Sequence, residues 1–518
     1  MNWGSDSRIR GCSTLDLEGR IQLQPVDPDR SRGFVPPAFS STQSTLDKHR
    51  IAVLPLQNIS RETEDEYFAD GLTEEIISTM TKIGGLKVIA RTSVMGYKGG
   101  EKKIDQIARE LKVGTVIEGS VRKAGDKVRI TVQLIDAESS DYLWSESYDR
   151  ELKDIFVIQS EISERVAEAL KVKLLPVERE QLEKRLTGNL DAYTLYLKGR
   201  FYWNERSRDS LMRALKYFED ALGKDPEFAP AYSGLADCYI VLVNHGYLGS
   251  AEGYDKARGA LTKALSLDGD LAEAHVSLGN ILSNEWNWSA AEEEFAEAIK
   301  TNPNYAKAHH WYSIHLLSLG RIEEAIDHLE IAEELDPLSP MIHAYAGGLL
   351  IYARRYDDAL KELDRSLALD QNFVPAHANR SDACLATGMF EEALAELQWV
   401  MRRVPPTTRW KVELGLVYAI SGKKREAEQI LRECEADLTR ENLEPQRLAI
   451  IYSKMGDSDR AFQCLEKAFK LRSITPFQVK QGPFYDTITS DPRFDDLVRK
   501  TGAGGQSLGQ GALTERKT

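Results

Sequence analysis

Cysteine is scarce in this chain. Cys12, Cys238, Cys384, Cys434 and Cys464 are five in 518 residues, with neither metal-like nor redox-like spacing. A disulfide framework is therefore not expected, and a reducing cytoplasm is the expected setting. Long apolar runs are also missing. No stretch approaches the roughly 18 consecutive apolar residues of a membrane span, and MNWGSDSRIRGC has no apolar signal-like region. Positive charge is not in excess: 67 Lys and Arg against 81 Asp and Glu leave a net charge of −14, which argues against nucleic acid as a partner. Catalytic signatures are lacking too. No nucleophile elbow, HExxH or Cys/His dyad occurs, and GGEKK (99–103) and EGSVRKAGDK (118–127) lack the G-x-x-x-x-G-K-[ST] spacing that wraps a phosphate. These absences predict a protein that is not an enzyme and carries no cofactor or metal.

Hydrophobic content of 42% and charge of 29% suffice for two or three folded units. The dominant signal is a period of 34. Ala291, Ala325, Ala359, Ala393, Ala427 and Ala461 recur at that interval, as do Asn302-Pro303, Asp336-Pro337, Asp370-Gln371 and Val404-Pro405. In a frame starting at Ala272, position 8 is small (Gly279, Ser313, Gly347, Ser381, Gly415, Ala449), so two helices can approach closely. Position 24 is large and apolar, and position 32 tends to Pro, which ends a helix for want of an amide donor. A fixed period of this length means stacked helical hairpins.

These positions resemble the tetratricopeptide repeat, with Gln371, Arg380 and Ser366 as departures from it. Six repeats run in register from 272 to 475. Two more precede them, the second needing nine extra residues around NHGYLGSAEG (244–253). The segment ITPFQVKQGPFYDTITSDPRFDDLVRKTG (474–502) offers Phe477, Phe484, Phe494 and Leu497 to the last repeat as a cap.

Upstream, IAVLPLQN (51–58) and LKVIA (86–90) read as strands, and ADGLTEEIISTMTKIG (69–84) and KIDQIARELKV (103–113) as amphipathic helices. GTVIEGSVRKA, KVRITVQLIDA and DYLWSESYDR follow as strands joined at Ala124-Gly125-Asp126 and Ser139-Ser140. The last element, DIFVIQSEISERVAEALKVKL (154–174), is a long helix. The order β-α-β-α-β-β-β-α predicts one mixed sheet with helices packed on it. This stretch resembles the domain of the TolB amino-terminal and FlgO group, found in microbes ahead of tetratricopeptide arrays. The resemblance implies a docking or sensory role. It also implies that a nucleotide-cyclase, kinase or winged-helix module commonly lies upstream, so a truncated or mis-started reading frame is an alternative.

The expected fold is α+β: a mixed-sheet α/β domain followed by an all-α superhelical solenoid. A flexible leader covers 1–49, the α/β domain 50–175, a helical linker 176–194, eight repeats 195–475, the cap 476–502 and a disordered tail 503–518. His275, His309, His343 and His377 form a ladder at position 4. Ligands of one metal sit some 3–4 Å apart, whereas neighbouring helices are roughly 8–10 Å apart, so one rung does not share an ion with the next. Aromatic packing is the expected role, with pH-sensitive binding as the alternative. Asp65, Glu66, Asp70, Glu74 and Glu75 cluster at one helix start, where carboxylates favour the helix dipole. Trp286 and Trp288 either anchor a partner or plug the turn between two helices.

The tetratricopeptide resemblance implies that first-helix positions 2, 5, 9, 12 and 13 face a groove. Here they include Glu273, Asn280, Asn284, Lys307, His310, Tyr352, Asp382 and Arg409. Their polar and aromatic mix suits an extended peptide or a helix of a partner protein. The expected function is a cytoplasmic protein-interaction scaffold in microbial signalling or regulation. The alternatives are the sensory half of a cyclase, kinase or winged-helix regulator, and an envelope-associated accessory protein.

Overall fold

The computed structural model describes residues 46–60, 65–100, 102–404, 407–435 and 444–500. Most of the expected leader and all of the expected tail lie outside these.

Among the described residues the α/β domain has six strands. They are β1 (Arg50–Val53), β2 (Gln57–Asn58), β3 (Lys87–Val88), β4 (Thr115–Ala124), β5 (Lys127–Asp136) and β6 (Tyr142–Glu151). The sheet order is β3-β1-β4-β5-β6, with β2 on β4. β1 pairs in parallel with both β3 and β4, and its Ile51, Ala52 and Val53 are fully buried, as a strand covered on both faces requires. The expected strand 51–58 is broken into β1 and β2 around Pro55, which has no amide to give a ladder. β4, β5 and β6 form antiparallel hairpins. Their turns carry positive φ at Gly125 and Ser140. Val128, Ile130, Val132 and Leu134 are buried along β5.

Among the described residues four α-helices complete the domain, α1 (Glu66–Thr81), α2 (Arg91–Met95), α3 (Ile104–Leu111) and α4 (Ile155–Ala169), and α5 (Pro176–Glu183) follows in the stretch read as a linker. The short α2 was not anticipated from the sequence. α4 buries Ile155, Ile158, Ile162 and Val166, as its stripe predicts. It stops short of the expected Leu174, and Lys171 follows in the left-handed region.

Eight consecutive helical hairpins follow among the described residues. Hairpin 1 is Leu190–Asn204 with Arg208–Lys224, and hairpin 2 is Ala229–Asn244 with Ser250–Leu267. Hairpin 3 is Ala272–Asn284 with Trp288–Thr301, and hairpin 4 is Ala306–Ser318 with Ile322–Leu335. Hairpin 5 is Pro340–Tyr352 with Tyr356–Leu369, and hairpin 6 is Val374–Ala386 with Phe390–Met401. Hairpin 7 is Thr408–Ile420 with Lys424–Glu435, and hairpin 8 is Pro445–Met455 with Ser458–Lys470. Ala325 and Ala359 are fully buried at helix crossings. A Cβ on Gly347 would stand 2.4 Å from the Leu363 side chain, which is why position 8 is small.

The surplus in hairpin 2 is not confined to its loop. Its helices run to 16 and 18 residues against 13 and 14 in hairpin 3, and the loop grows only from 285–287 to the length of 245–249. The departures from the repeat pattern find partners of their own. Ser366 Oγ donates to the Pro340 carbonyl at 2.7 Å, Arg380 pairs with Asp364 and Glu396, and the Gln371 carbonyl accepts from His377. The apolar core of the α/β domain continues without a break into hairpins 1 and 2 through Trp203, Ala214, Phe218 and Cys238.

Candidate functional site

The residues expected along the first helices of the hairpins fall into separate groups. At the front, Lys307 Nζ lies 3.3 Å from Asp237, which also accepts from Ser277 at 2.6 Å. Glu273 reaches Ser78 of α1 at 3.5 Å. In the middle, the amide of Asn284 donates to Asn280 at 2.8 Å; Asn280 is buried and Asn284 exposed. His310 meets Tyr345 edge to face at 5.2 Å, and its buried Nε2 has no hydrogen-bond partner among the described residues. Burial pushes its imidazole down to about 4. At the rear, Asp382 pairs with Arg447 at 2.5 Å, and Arg447 Nε lies 3.3 Å from Glu413. Tyr352 is half-buried, and burial raises its phenol above the ordinary value. Arg409 is exposed, 3.7 Å from Glu444.

Sequence reasoning missed several members of these groups: Arg200, Trp203, Arg206, Asp237, Glu413 and Arg447. All but Arg206, which lies in the turn after Asn204, occupy first helices of the 34-residue frame, so the period itself was the signal. Arg200 binds Glu74 of α1 through Nε at 2.9 Å, and Arg91 Nε reaches the same carboxylate at 3.1 Å. Burial alone would raise Glu74; Arg200 and Arg91 outweigh it and hold the carboxyl below its ordinary value. Its neighbour Glu75 is pushed up to about 7 by burial, with Glu74 adding to the effect. α1 starts at Glu66, so Glu74 stands in its third turn, beyond the reach of the helix dipole, and instead fastens α1 to hairpin 1. Arg206 lies over the Trp203 ring at 3.5 Å and is lowered to about 10, chiefly by burial.

Two pieces of the chain cover parts of the array. The α/β domain sits on the turns between hairpins. Asn302 donates to Thr81 at 2.9 Å, Ala90 N donates to the Leu335 carbonyl at 2.8 Å, and Ser93 Oγ donates to Asp336 at 2.5 Å. The cap contains three short helices, Pro476–Gln481, Asp486–Thr489 and Arg493–Lys500. It buries Phe484, Phe494 and Leu497, while Phe477 is half-buried beside Gly320 of hairpin 4, so the segment reaches back along the array. Thr475 Oγ1 donates to the Ser318 carbonyl at 2.7 Å, Gln481 to the Gly320 carbonyl at 2.8 Å, and Arg354 pairs with Asp486 at 2.6 Å. Tyr485 donates to the Gln446 carbonyl at 3.2 Å. Trp286 and Trp288 stack at 5.8 Å, with Trp288 buried, so they plug the turn of hairpin 3. Trp286 also meets Phe469 of hairpin 8 at 6.5 Å.

The histidine ladder is a set of hydrogen-bonded staples as well as packed rings. In each rung Nε2 meets the carbonyl six residues earlier: Gly269, Pro303, Pro337 and Gln371. Nδ1 meets a side chain 19 residues later on the second helix: Glu294, His328, Glu362 and Glu396. Burial opposes charging His275 and His343, yet the carboxylate and carbonyl partners keep both above the ordinary value. His309, facing another imidazole, is pushed down to about 4 by burial.

Comparison with known proteins agrees with this architecture. Residues 287–340, 374–399 and 446–474 match models of the tetratricopeptide repeat, and the helical array is a tetratricopeptide-repeat array. Residues 47–165 match the second domain of HilA/YgeH-like transcriptional regulators. Among curated proteins, the chain is 38% identical over 250 residues to "Putative adenylate cyclase 3" of Rhizobium meliloti, covering 48% of this chain and 42% of that protein. It is 23% identical over 342 residues to the transcriptional regulator HilA of Salmonella typhimurium, covering 65% and 59%. The chain thus spans only about half the length of these relatives. Among solved structures, a tetratricopeptide repeat protein from Parabacteroides merdae is similar over 53% of this chain and 100% of the other, at 15% identity and a TM-score of 0.35. Among the described residues no helix is long and apolar enough to cross a membrane.

Proposed function

We propose that this chain is a protein-interaction scaffold, a reading that its tetratricopeptide repeats support. We propose that it binds an extended or helical segment of a partner protein along the first-helix wall, through Glu273, Asn280, Asn284, Lys307, His310, Tyr352, Asp382 and Arg409. We place it in microbial regulation in the cytoplasm, as a part that does no chemistry itself. The observation that supports this most directly is the middle of the wall. There Asn284 is exposed, with its amide held on Asn280 at 2.8 Å, and offers a polar group to a partner's backbone.

Two fragments of wall are held by the chain itself, the front by α1 and the rear by the cap. Partner binding there competes with α1 at Glu273 and with Tyr485 beside Arg447. The test is a photo-crosslinking residue placed at Asn284 or, as a control, at the exposed Lys300 of the second helix. Partner adducts are expected at position 284 only. Equal adducts at both positions, or none at 284, would overturn the proposal.

A second reading is favoured by the relatives: the chain serves as the sensing and scaffolding part of a cyclase or transcriptional regulator. The continuous core between the α/β domain and hairpins 1 and 2 supports it, since binding at the array would be felt in the domain. A TolB-like sensory role for the α/β domain belongs with this reading. Hydrogen exchange in α1 on addition of a crosslinked partner tests it, with altered protection as the expected result.

A further inference from the structure

The four rungs of the histidine ladder differ in one respect. Beside His275, His309 and His377, position 28 of the preceding repeat is Leu265, Ile299 and Leu367, apolar side chains packed into the array. Beside His343 the same position is Glu333. Its carboxylate is half-buried and forms no hydrogen bond or ion pair among the described residues, an unusual state for a charged group at a packing position. Glu333, His343 and Glu362 each bring one ligand atom to within 4.8 Å of the other two.

We propose that Glu333, His343 and Glu362 form a binding site for a first-row divalent ion such as zinc. His343 Nε2 meets the Pro337 carbonyl at 2.9 Å. That bond keeps a proton on Nε2, so an ion that displaces the proton shared by Nδ1 and Glu362 at 2.9 Å meets the Nδ1 lone pair. A metal-binding histidine is oriented in this way by a carbonyl on its other nitrogen. Glu362 is oriented as well, because Arg365 holds its Oε1 at 2.5 Å and Oε2 is the oxygen turned to the imidazole. Ligand atoms bound at about 2.0–2.2 Å lie roughly 3.3–3.5 Å from one another in a tetrahedron, so closing the set needs only small rotamer adjustments. One imidazole and two carboxylates suit zinc, manganese or iron(II) over copper(I), which prefers sulfur. The ion sits within one rung, between the second helices of hairpins 4 and 5 and the first helix of hairpin 5. The spacing between rungs therefore does not forbid it. The site is separate from the partner-binding proposal.

The test uses the full chain after chelator treatment, titrated with zinc chloride by calorimetry and with cobalt(II) chloride by visible absorption. One ion per chain is expected, with cobalt bands typical of nitrogen and oxygen ligands. Glu333→Leu installs the side chain that two of the other rungs carry, so its fold should be retained. It should bind either ion at least about ten-fold more weakly and lose any rise in melting temperature that zinc gives the parent. Glu362→Gln should weaken binding similarly. Unchanged binding in Glu333→Leu would place the ion elsewhere, for example on cysteine, and overturn the proposal. No saturable binding in the parent would also overturn it, leaving a shared proton as the only occupant.

Discussion

The front and the rear of the array are built from the same 34-residue unit and are closed by different pieces of the chain. At the front, a buried carboxylate of α1 meets Arg200, Arg91 and Asn204, and the fastening joins two domains. At the rear, Arg447 joins hairpin 8 to Asp382 of hairpin 6 and Glu413 of hairpin 7, and the cap adds carbonyl hydrogen bonds and the exposed Arg354–Asp486 pair. The difference teaches that the repeat fixes where a side chain stands. What that side chain meets is decided by sequence outside the repeat.

Removing one partner of a buried pair leaves an uncompensated charge, so the sharpest test of this comparison is Arg200→Ala against Arg447→Ala. Each should cost about 3–5 kcal/mol. Hydrogen exchange should show α1 loosened by the first variant and hairpin 8 by the second. Loosening of the same helices by both would remove the distinction between front and rear. Next in size, Ala325→Leu or Ala359→Leu overpacks a helix crossing and should cost roughly 1–3 kcal/mol in thermal melts. Unchanged melting in both would mean that the frame is misplaced.

The ladder gives a pH test. His309 is depressed, so its contribution is present above the unfolded value of about 6.5 and is lost as pH falls toward the folded value. His275 and His343 are raised, so theirs is present below about 6.5 and is lost as pH rises through the folded value. His328→Glu gives the second rung the carboxylate of the others, beside Glu324, Asp327 and Arg321. Relative to the parent, the variant should melt higher at pH 5 than at pH 8; no change in that ordering would show the ladder to be mere packing. The smallest effect is expected from Arg354→Ala. Both partners of its pair are exposed, and solvent screening limits the loss to about 0.2–1 kcal/mol.

The hairpins were legible because a period repeats its own evidence. Ala291 through Ala461 make the same statement six times, and the structure places helices at each. The strands of the α/β domain were legible from alternation, most clearly along β5. The docking of α1 was not, since Glu74 and Arg200 stand 126 residues apart with no recurrence to relate them. The helix dipole offered Glu74 a local explanation that hid its role as a fastening, and the start of α1 at Glu66 removes that explanation. The ladder showed its spacing but not its chemistry. Position 19 after each histidine had to be seen in space before Glu294, His328, Glu362 and Glu396 formed a series. Glu333 was visible all along as a break in an apolar column, though only contact with His343 gives the break a meaning.

The return of the cap to hairpin 4 has a consequence for synthesis. Thr475 closes onto Ser318, 157 residues before it in the chain. Hairpins 3 to 5 therefore leave the ribosome well before the residues that cover their turns exist. Until translation reaches hairpin 8, Trp286 awaits Phe469, and until it reaches the cap, Gly320 awaits Gln481. A nascent chain stalled before that point would present to chaperones a surface that the finished protein conceals.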